Sequence, residues 1–172
     1  MLATIRRRTD ADLDACIQLL AAVNAKDGYP VEGISGGKAF LGPGPAWVAE
    51  MEGRIIGHVG IKQASMDDVS VALWWKLHPG DRVAVLGRLM VHPGVRGAGI
   101  ASKLIEAGTL WARDNQRRLV LFGLPHNTGA LQLYQKLGWH HYGNTTHTFD
   151  GREWTALCYS SPELNDIKKS IE

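Results

Sequence analysis

Along the chain, the first pattern of hydrophobic and polar positions, over residues 2–7, predicts a short β-strand, and a stretch with helical periodicity follows it. A helix is predicted over residues 11–25, because apolar side chains recur there at intervals of three and four: Leu13, Cys16, Ile17, Leu20 and Val23. Thr9 and Asp12 have the spacing of a capping box at its start. Residues 28–45 are rich in glycine and proline, which indicates an irregular connection with a short helical turn near residues 38–41.

Strand patterns dominate the middle of the chain. Residues 47–51 and 54–63 flank a Glu-Gly pair and predict a hairpin. Residues 64–80 are ambiguous: Val69, Val71 and Leu73 alternate as in a strand, while a Pro-Gly pair ends the segment. Residues 82–91 predict the next strand.

The last third alternates helices and strands. Residues 99–115 and 128–137 predict helices, the second with Asn127 as N-cap and Gly138 as its stop. Between them, residues 118–124 are apolar on both faces, as in a buried strand. A hairpin follows, with strands over residues 140–149 and 153–159, and the tail from Ser160 is expected to be polar and frayed. This order of elements predicts an α+β fold around one mixed sheet.

Composition narrows the class of protein. A chain of 172 residues is most simply one domain, here residues 1–160 with a polar tail over 161–172. A hydrophobic content of 45% and a net charge of +2 are typical of a globular protein and give no indication of nucleic-acid binding. The apolar runs are shorter than a bilayer span requires, and the N-terminus lacks the apolar core of a signal peptide. We expect a cytoplasmic protein that binds no membrane.

Two cysteines, Cys16 and Cys158, lie far apart without the spacing of metal ligands. We expect both to be small buried hydrophobic residues, and we expect no metal site.

The most informative segment for chemistry is residues 89–101, which read L-M-V-H-P-G-V-R-G-A-G-I-A. An apolar strand runs through a Pro-Gly turn into a glycine-rich bend that opens a helix. Helix N-termini present unpaired N–H groups that bind phosphate, and Gly97 and Gly99 permit positive φ and close approach of a ligand. Arg96 adds a cation that can hold phosphate oxygens. The segment therefore predicts a pyrophosphate-binding loop, to which Lys103 adds either a ribose-phosphate contact or only a solvated side chain.

Two other phosphate-binding motifs fit this segment poorly. A P-loop would continue with lysine and serine or threonine, but isoleucine and alanine follow Gly99. The dinucleotide fingerprint would need glycine at Ser102 and an acidic residue about 20 positions on, where residues 117–124 are basic and apolar.

A third motif fits, and it is supported by a second block. Arg96, Gly99 and Ala101 fill the pattern Arg/Gln-x-x-Gly-x-Gly/Ala after a strand that ends L-x-V-x-P. Farther on, the pattern N-x-x-A-x-x-x-Y-x-x-x-G-[FW] is matched by Asn127, Ala130, Tyr134, Gly138 and Trp139. With both blocks in this order, the chain resembles the GNAT superfamily of acyl-CoA-dependent N-acetyltransferases. The resemblance covers residues 2–159 and is specific across residues 89–139.

The resemblance implies a GNAT-like fold: a mixed, mostly antiparallel twisted sheet with helices on both faces and two parallel central strands that splay apart to admit acetyl-CoA. It implies that backbone groups of Leu89, Met90 and Val91 pair with the pantetheine amides. It also implies that the pyrophosphate is held by the backbone N–H groups of six consecutive residues: Arg96, Gly97, Ala98, Gly99, Ile100 and Ala101.

The second block supplies the remaining implied site residues. Asn127 would add a hydrogen bond to the pantetheine arm. Tyr134, seven residues later on the same helix face, would protonate the departing thiolate, although a buried structural tyrosine is the alternative. A phenol with a pKa near 10 is a suitable donor to a thiolate whose conjugate thiol has a pKa of about 8.5. An amine would attack the thioester carbonyl directly, with a backbone N–H of Met90 or Val91 stabilising the oxyanion.

The general base is the part of the site that the resemblance does not supply. Family members often place glutamate or histidine on the strand before L-x-V, where this chain has Val85 and Gly87. Substitutes that could act as the base or attract a cationic amine are His58, His92, His126, Glu50, Asp67 and Asp68. Their structural alternatives are a satisfied core histidine, exposed loop histidines, and surface or loop carboxylates. Tyr29, Trp74 and Trp75 could line an acceptor pocket or simply pack in the core.

The sequence thus predicts an acetyl-CoA-dependent N-acetyltransferase that acts on a primary amine of a small molecule or peptide through a ternary complex. A non-catalytic acyl-CoA-binding sensor is the main alternative, motivated by the missing base. A dinucleotide-binding oxidoreductase is a more distant one. The resemblance also allows a homodimer, since family members often form one.

Overall fold

Residues 2–30 and 33–162, which a computed structural model describes, form seven strands and five α-helices. In chain order they are β1 Thr4–Arg7, α1 Leu13–Asp27, α2 Gly37–Leu41, β2 Ala46–Met51, β3 Arg54–Gln63, α3 Val69–Leu77, β4 Val83–Val91, α4 Ile100–Asp114, β5 Arg118–Gly123, α5 Thr128–Lys136, β6 His140–Phe149 and β7 Arg152–Ser160. Short 3-10 turns at Asp10–Asp12 and Pro93–Val95 precede α1 and follow β4. No helix among these residues is long and apolar enough to cross a bilayer.

The strands form one sheet in the order β1-β2-β3-β4-β5-β7-β6. The pairs β1–β2, β2–β3, β5–β7 and β6–β7 are antiparallel, whereas β4 and β5 are parallel. The parallel ladder covers three residue pairs, from Val83 with Arg118 to Val85 with Val120. The predicted α+β fold with a mixed sheet and two parallel central strands is confirmed.

Two compact units make up the chain, and each has its own core. The first unit comprises Met1–Lys62 and Leu86–Gly108. Its core joins α1 and α2 to the sheet through Cys16, Leu19, Leu20, Val23, Leu41, Val48 and Met90. The second unit comprises Gln63–Val85 and Thr109–Glu172, and its core is formed by Val71, Trp74, Val83, Val85 and Val120.

The ambiguous segment over residues 64–80 contains a helix, α3, so its strand interpretation is wrong. Asp68 caps this helix by accepting hydrogen bonds from the backbone N–H of Ser70 at 2.9 Å and from its hydroxyl at 2.5 Å. Val71 and Trp74, three residues apart, are 0% and 5% exposed, so the helical period and not the alternation decides which side chains are buried.

Both predicted hairpins are confirmed, and their turns explain why. Glu52 and Gly53 have φ values of 53° and 75°, and Asp150 and Gly151 have 51° and 71°. Two consecutive positive φ values are what a two-residue turn between twisted strands requires.

The predicted capping box at the start of the first helical segment is confirmed, because the backbone N–H of Thr9 donates to Asp12 at 2.7 Å.

The predicted frayed tail does not start at Ser160, since Ser160 and Ser161 are buried. Ser161 accepts a hydrogen bond from the N–H of Leu119 at 3.0 Å, so this end is attached to β5. Residues 163–172 of the expected tail lie outside the described residues.

Candidate cofactor site

The loop between β4 and α4 has the backbone conformation that its glycines predict. Gly97 and Gly99 have φ values of 90° and 75°, in the left-handed region that side-chain-bearing residues avoid. A Cβ atom at either position would meet nothing within 4 Å, so the glycines are needed for conformation, and the space beside them is open to a ligand.

Free backbone donors line this loop. The N–H groups of residues 97–102 donate no hydrogen bond to any other described residue, and the first helical bond here runs from Lys103 N–H to Gly99 O at 3.3 Å. The positive end of the α4 dipole adds to these donors. Several N–H groups converging at a helix start are the chemistry that an oxyanion such as a phosphate group needs.

A close contact with the sheet fixes the start of α4. Ile100 is 3% exposed and Leu104 is fully buried. A Cβ atom at Gly57 of β3 would lie 2.9 Å from Leu104 and 3.2 Å from Ile100, so only glycine allows the helix to pack this closely. The packing holds the free N–H groups in place without using any of them.

The Arg96 side chain lies at this loop but already has partners. Its two terminal nitrogens donate to the Asp27 carboxylate at 3.1 and 2.5 Å. Its Nε donates to Val91 O at 3.2 Å, which is one of the backbone groups expected to meet pantetheine. Both charged side chains are 38% exposed, so a phosphate group can approach the pair from solvent.

The end of β4 is held by Arg88. This residue has a φ of 54°, which interrupts the regular pleat just before Leu89. Its Nε donates to Phe40 O, its guanidinium lies 5.6 Å from the Phe40 ring centre, and its carbonyl accepts from His58 Nδ1 at 2.8 Å. Three contacts therefore fix the backbone that leads into residues 89–91.

His58 is a structural histidine, so the core interpretation is correct. It is fully buried, and because its Nδ1–H donates to Arg88 O, its Nε2 is the acceptor for Arg8 Nη1 at 3.0 Å. Burial, and to a smaller extent the charges of Arg8 and Arg88, lower the pKa of His58 to about 4. A ring whose only lone pair is already hydrogen-bonded is not available as a general base.

Two of the three carboxylate substitutes, Glu50 and Asp68, are committed elsewhere. Glu50 accepts from Arg6 Nε at 2.7 Å, and the same guanidinium contacts Asp12 at 2.8 Å. Arg6 holds the pKa of Asp12 well below its usual range. Asp68 is the buried cap of α3, whereas Asp67 is an exposed loop residue as expected.

The other two histidine candidates lie where loop residues are expected. His92 is half-buried, and its Nδ1 accepts from Gly94 N–H at 3.0 Å. His126 is exposed, with its ring centre 5.8 Å from that of Trp154.

The family often has a base at the two strand positions that Val85 and Gly87 occupy here, and these two positions have different surroundings. Val85 is 7% exposed in the core of the second unit. Gly87 lies in the first unit, and a Cβ atom there would meet nothing within 4 Å. The sequence already shows that neither position carries a base, and the structure adds that there is room for a Cβ atom at Gly87.

The aromatic candidates for an acceptor pocket pack structurally. Trp74 is buried, and its Nε1 donates to Asp81 at 2.9 Å. Trp75 donates from its Nε1 to Asp81 O at 2.9 Å. Tyr29 packs against the first core and meets Phe40 edge-on at 6.3 Å. Core packing is therefore the correct interpretation for Trp74, and Trp75 packs half-buried against the same core.

The second unit carries Asn127 and Tyr134. Asn127 is the N-cap residue of α5, as predicted, but its side chain makes no capping hydrogen bond to the helix. Its Oδ1 instead accepts from Leu124 N–H at 3.1 Å and closes the loop after β5. This leaves the Nδ2 hydrogens without an acceptor among the described residues. Tyr134 is 6% exposed and packs against Trp139 at 5.2 Å between ring centres.

A cluster of aromatic side chains in the second unit, formed around Trp154 and His147, was not identified from the sequence. Trp154 has a buried Nε1–H with no hydrogen-bond partner among the described residues. His147 is its cross-strand partner and lies 5.0 Å from the Phe122 ring centre. The two-residue turn at Asp150 and Gly151 implies this register, so the hairpin signal was sufficient to pair His147 with Trp154.

The two cysteines are as expected. Cys16 and Cys158 are both fully buried, and burial raises the pKa of each thiol to about 11. Neither is a reactive nucleophile.

Comparison with known families decides the assignment. A model of the acetyltransferase (GNAT) family matches residues 21–139, which include both sequence blocks. The chain belongs to the GNAT acetyltransferase family. The P-loop and dinucleotide-binding alternatives are therefore excluded, and the activity expected of this family is acetyl transfer.

Solved GNAT structures share the fold over nearly the whole chain. A ribosomal-protein-alanine N-acetyltransferase from Brucella melitensis is 20% identical with a TM-score of 0.70, over 93% of this chain and 99% of that one. Naa20 from Chaetomium thermophilum, solved with a bisubstrate analogue, is 24% identical with a TM-score of 0.70, over 96% and 90%. Salmonella typhimurium yncA, solved with acetyl-CoA, is 18% identical with a TM-score of 0.66, over 93% of each chain. No curated protein matches the sequence.

Proposed function

We propose that this GNAT acetyltransferase transfers an acetyl group from acetyl-CoA to a primary amine of a small molecule or peptide, by direct attack within a ternary complex. The observation that carries the proposal is the run of free N–H groups at residues 97–101, held at the start of α4 by Gly97 and Gly99 in left-handed conformations. Family membership supports acetyl-CoA as the cofactor.

The residues of the loop fit the pyrophosphate of coenzyme A. Five neutral donors and the helix dipole suit a diphosphate, and the open space beside the two glycines allows the phosphate oxygens to reach the backbone. The side chain of Arg96 supplies the nearest cation, although it must share or leave Asp27 to do so. When bound, the cofactor supplies an acetyl group activated as a thioester.

The end of β4 would orient the pantetheine arm. Backbone groups of Leu89, Met90 and Val91 are the partners we assign to its amides, and the Arg88 contacts hold that backbone in one conformation. The N–H of Met90 or Val91 would donate to the acetyl carbonyl oxygen as negative charge develops there. Arg96 Nε would release Val91 O, so that this carbonyl can accept a hydrogen bond from a pantetheine N–H.

We assign roles in acetyl transfer to two residues of the second unit, Asn127 and Tyr134. The Nδ2 hydrogens of Asn127 are directed by the fixed Oδ1 contact to Leu124 and can donate to a pantetheine carbonyl. Tyr134, held against Trp139, would protonate the departing thiolate.

We assign no residue as the base that takes the proton of an ammonium acceptor. His58 and Glu50 are hydrogen-bonded, and Gly87 has no side chain. The chain would therefore act on the fraction of amine that is already neutral, or pass the proton to water. The same observation favours a second candidate, a protein that binds acyl-CoA without turning it over.

One experiment separates the two candidates: release of free thiol from acetyl-CoA across a panel of primary amines and peptides. The enzyme releases thiol with at least one amine, and Gly99→Ala lowers that rate by raising the KM for acetyl-CoA. The matched control is Gly129→Ala, at an open helical position without positive φ. A protein that binds acetyl-CoA but releases no thiol with any amine is the sensor, and our proposal is then wrong.

A further inference from the structure

An arginine-lined cavity lies in the second unit, and none of the residues assigned above to acetyl transfer lines it. It has a volume of about 150 Å³ and is formed where α4 ends, β5 begins and the chain leaves β7. Four of its lining side chains are guanidinium groups: Arg82, Arg113, Arg117 and Arg118.

The negative charge in the cavity wall does not neutralise these cations. Among the described residues, Asp81 is the one acidic residue that lines it, and its carboxylate forms no ion pair with the four guanidinium groups. One oxygen accepts from Trp74 Nε1 at 2.9 Å and the other from the backbone N–H of Arg82 at 3.1 Å. Asp114 contacts Arg113 at 3.3 Å and offsets part of that charge. The cavity therefore keeps an excess of positive charge.

The arginines differ in how firmly they are held. Arg118 donates to Ser161 O at 2.9 Å and lies 5.3 Å from the Trp74 ring centre, so its guanidinium is fixed beside the cavity. The side chains of Arg82 and Arg117 make no hydrogen bond or ion pair with any other described residue. An anion in the cavity could therefore accept hydrogen bonds from Arg82 and Arg117 beside the fixed Arg118, and no existing contact of Arg82 or Arg117 would have to break.

Helix electrostatics explain only part of the arrangement. Cations near the end of α4 interact favourably with the negative end of its dipole, which accounts for Arg113 in the last turn. Arg82 lies just before β4 and Arg118 is the first residue of β5, so neither is in the last turn of a helix, where a helix dipole would stabilise a cation. Bringing them together costs electrostatic repulsion unless an anion is bound.

We propose that this cavity binds a phosphate dianion, either free or as the monoester of a small molecule. Four arginines line one small volume. A phosphate group offers three or more acceptor oxygens to guanidinium groups, whereas a carboxylate offers two. The cavity is too small and too local for an extended polyanion. Its residues take no part in the proposed acetyl transfer, so its test is independent of that proposal.

The test is a titration of ¹⁵N-labelled protein at pH 7.5 and constant ionic strength, followed through backbone amide resonances. Inorganic phosphate and methyl phosphate are the two phosphate probes, and acetate is the carboxylate probe. We expect saturable shifts at residues 116–119 with phosphate, resolved from any shifts at residues 97–101. The tighter of the two phosphate probes identifies whether the source is free phosphate or a monoester.

Two double variants make the titration decisive. Arg82→Ala with Arg117→Ala removes the two unengaged side chains and is expected to weaken phosphate binding at residues 116–119 about tenfold or more. Arg54→Ala with Arg152→Ala removes the same charge outside the cavity and should leave that binding unchanged. The proposal is overturned by the absence of saturable shifts, by equal binding to the cavity variant, or by acetate binding as tightly as phosphate.

Discussion

Asp27 holds both terminal nitrogens of Arg96, although the two residues lie 69 positions apart in the chain. The pair joins the last residue of α1 to the loop that precedes α4, and Arg96 also contacts the carbonyl of Val91. The guanidinium that is expected to meet a pyrophosphate is thus paired with a carboxylate that competes for the same donors.

The competition predicts that Asp27→Asn binds acetyl-CoA more tightly. Exposed ion pairs contribute about 0.2–1 kcal/mol, so the gain in affinity should be about fivefold at most. Arg96→Ala should weaken binding about tenfold, because a charge-assisted contact to the pyrophosphate is lost. Calorimetric titration with acetyl-CoA measures both.

Asp14→Asn is the control for that experiment, since it removes an exposed carboxylate from the other end of α1. Weaker binding by Asp27→Asn would show that the carboxylate orients Arg96 for the cofactor and does not compete with it.

Tyr134→Phe should lower kcat with little change in affinity for acetyl-CoA. The phenol is assigned to proton donation in the chemical step, and the phenylalanine ring keeps the packing against Trp139. Steady-state kinetics give kcat, and calorimetry on the same preparation gives the affinity for acetyl-CoA. An equal loss of turnover and affinity would refute the role of the phenol as the acid.

A carboxylate introduced at Gly87 tests whether the wild-type protein lacks a general base for the acceptor amine. A Cβ atom there would meet no described atom within 4 Å, and the backbone has no positive φ, so the protein should tolerate Gly87→Glu. General-base catalysis contributes a factor of about 100 or more where geometry is good, so thiol release at pH 6.5 should rise by about tenfold or more. Gly87→Gln is the matched control, equal in size but without a basic carboxylate. A pH–rate profile that is identical for both variants would contradict the idea.

His58 should make the protein sensitive to acid. Its pKa is lowered to about 4 in the folded state from the ordinary histidine value of 6.5, because the ring is buried next to two arginines. The unfolded state therefore binds the proton more readily, and the stabilisation present above pH 6.5 is lost as the pH falls towards 4. The pKa difference corresponds to about 3 kcal/mol.

Urea unfolding between pH 4.5 and 7.5 measures this effect. The free energy of unfolding of the wild type should fall with decreasing pH more steeply than that of His58→Gln, whatever the variant loses at pH 7.5. His140→Gln, at an exposed position, should keep the wild-type slope. Parallel slopes for all three proteins would show that His58 is not responsible.

The sequence predicted those elements whose determinants are local. The hairpins follow from Glu52-Gly53 and Asp150-Gly151, since two positive φ values select the turn. The loop before α4 follows from Gly97 and Gly99 for the same reason.

Features that depend on tertiary packing, or on which of several possible partners a side chain takes, were not accessible in this way. The alternation of Val69 and Val71 suggested a strand, but burial of Trp74 against the sheet and the cap by Asp68 produce a helix. Asn127 turns its oxygen to Leu124 and not to its own helix. The ion pair of Arg96 has no local signal at all.

The central claim is that a pyrophosphate binds to the backbone N–H groups at the start of α4. A titration of ¹⁵N-labelled protein with coenzyme A and, separately, with pantetheine tests it directly. We predict that the amide resonances of residues 97–101 shift saturably with coenzyme A and hardly move with pantetheine, which lacks the diphosphate. Resonances that stay unmoved with coenzyme A, while others in the protein shift, would contradict the account.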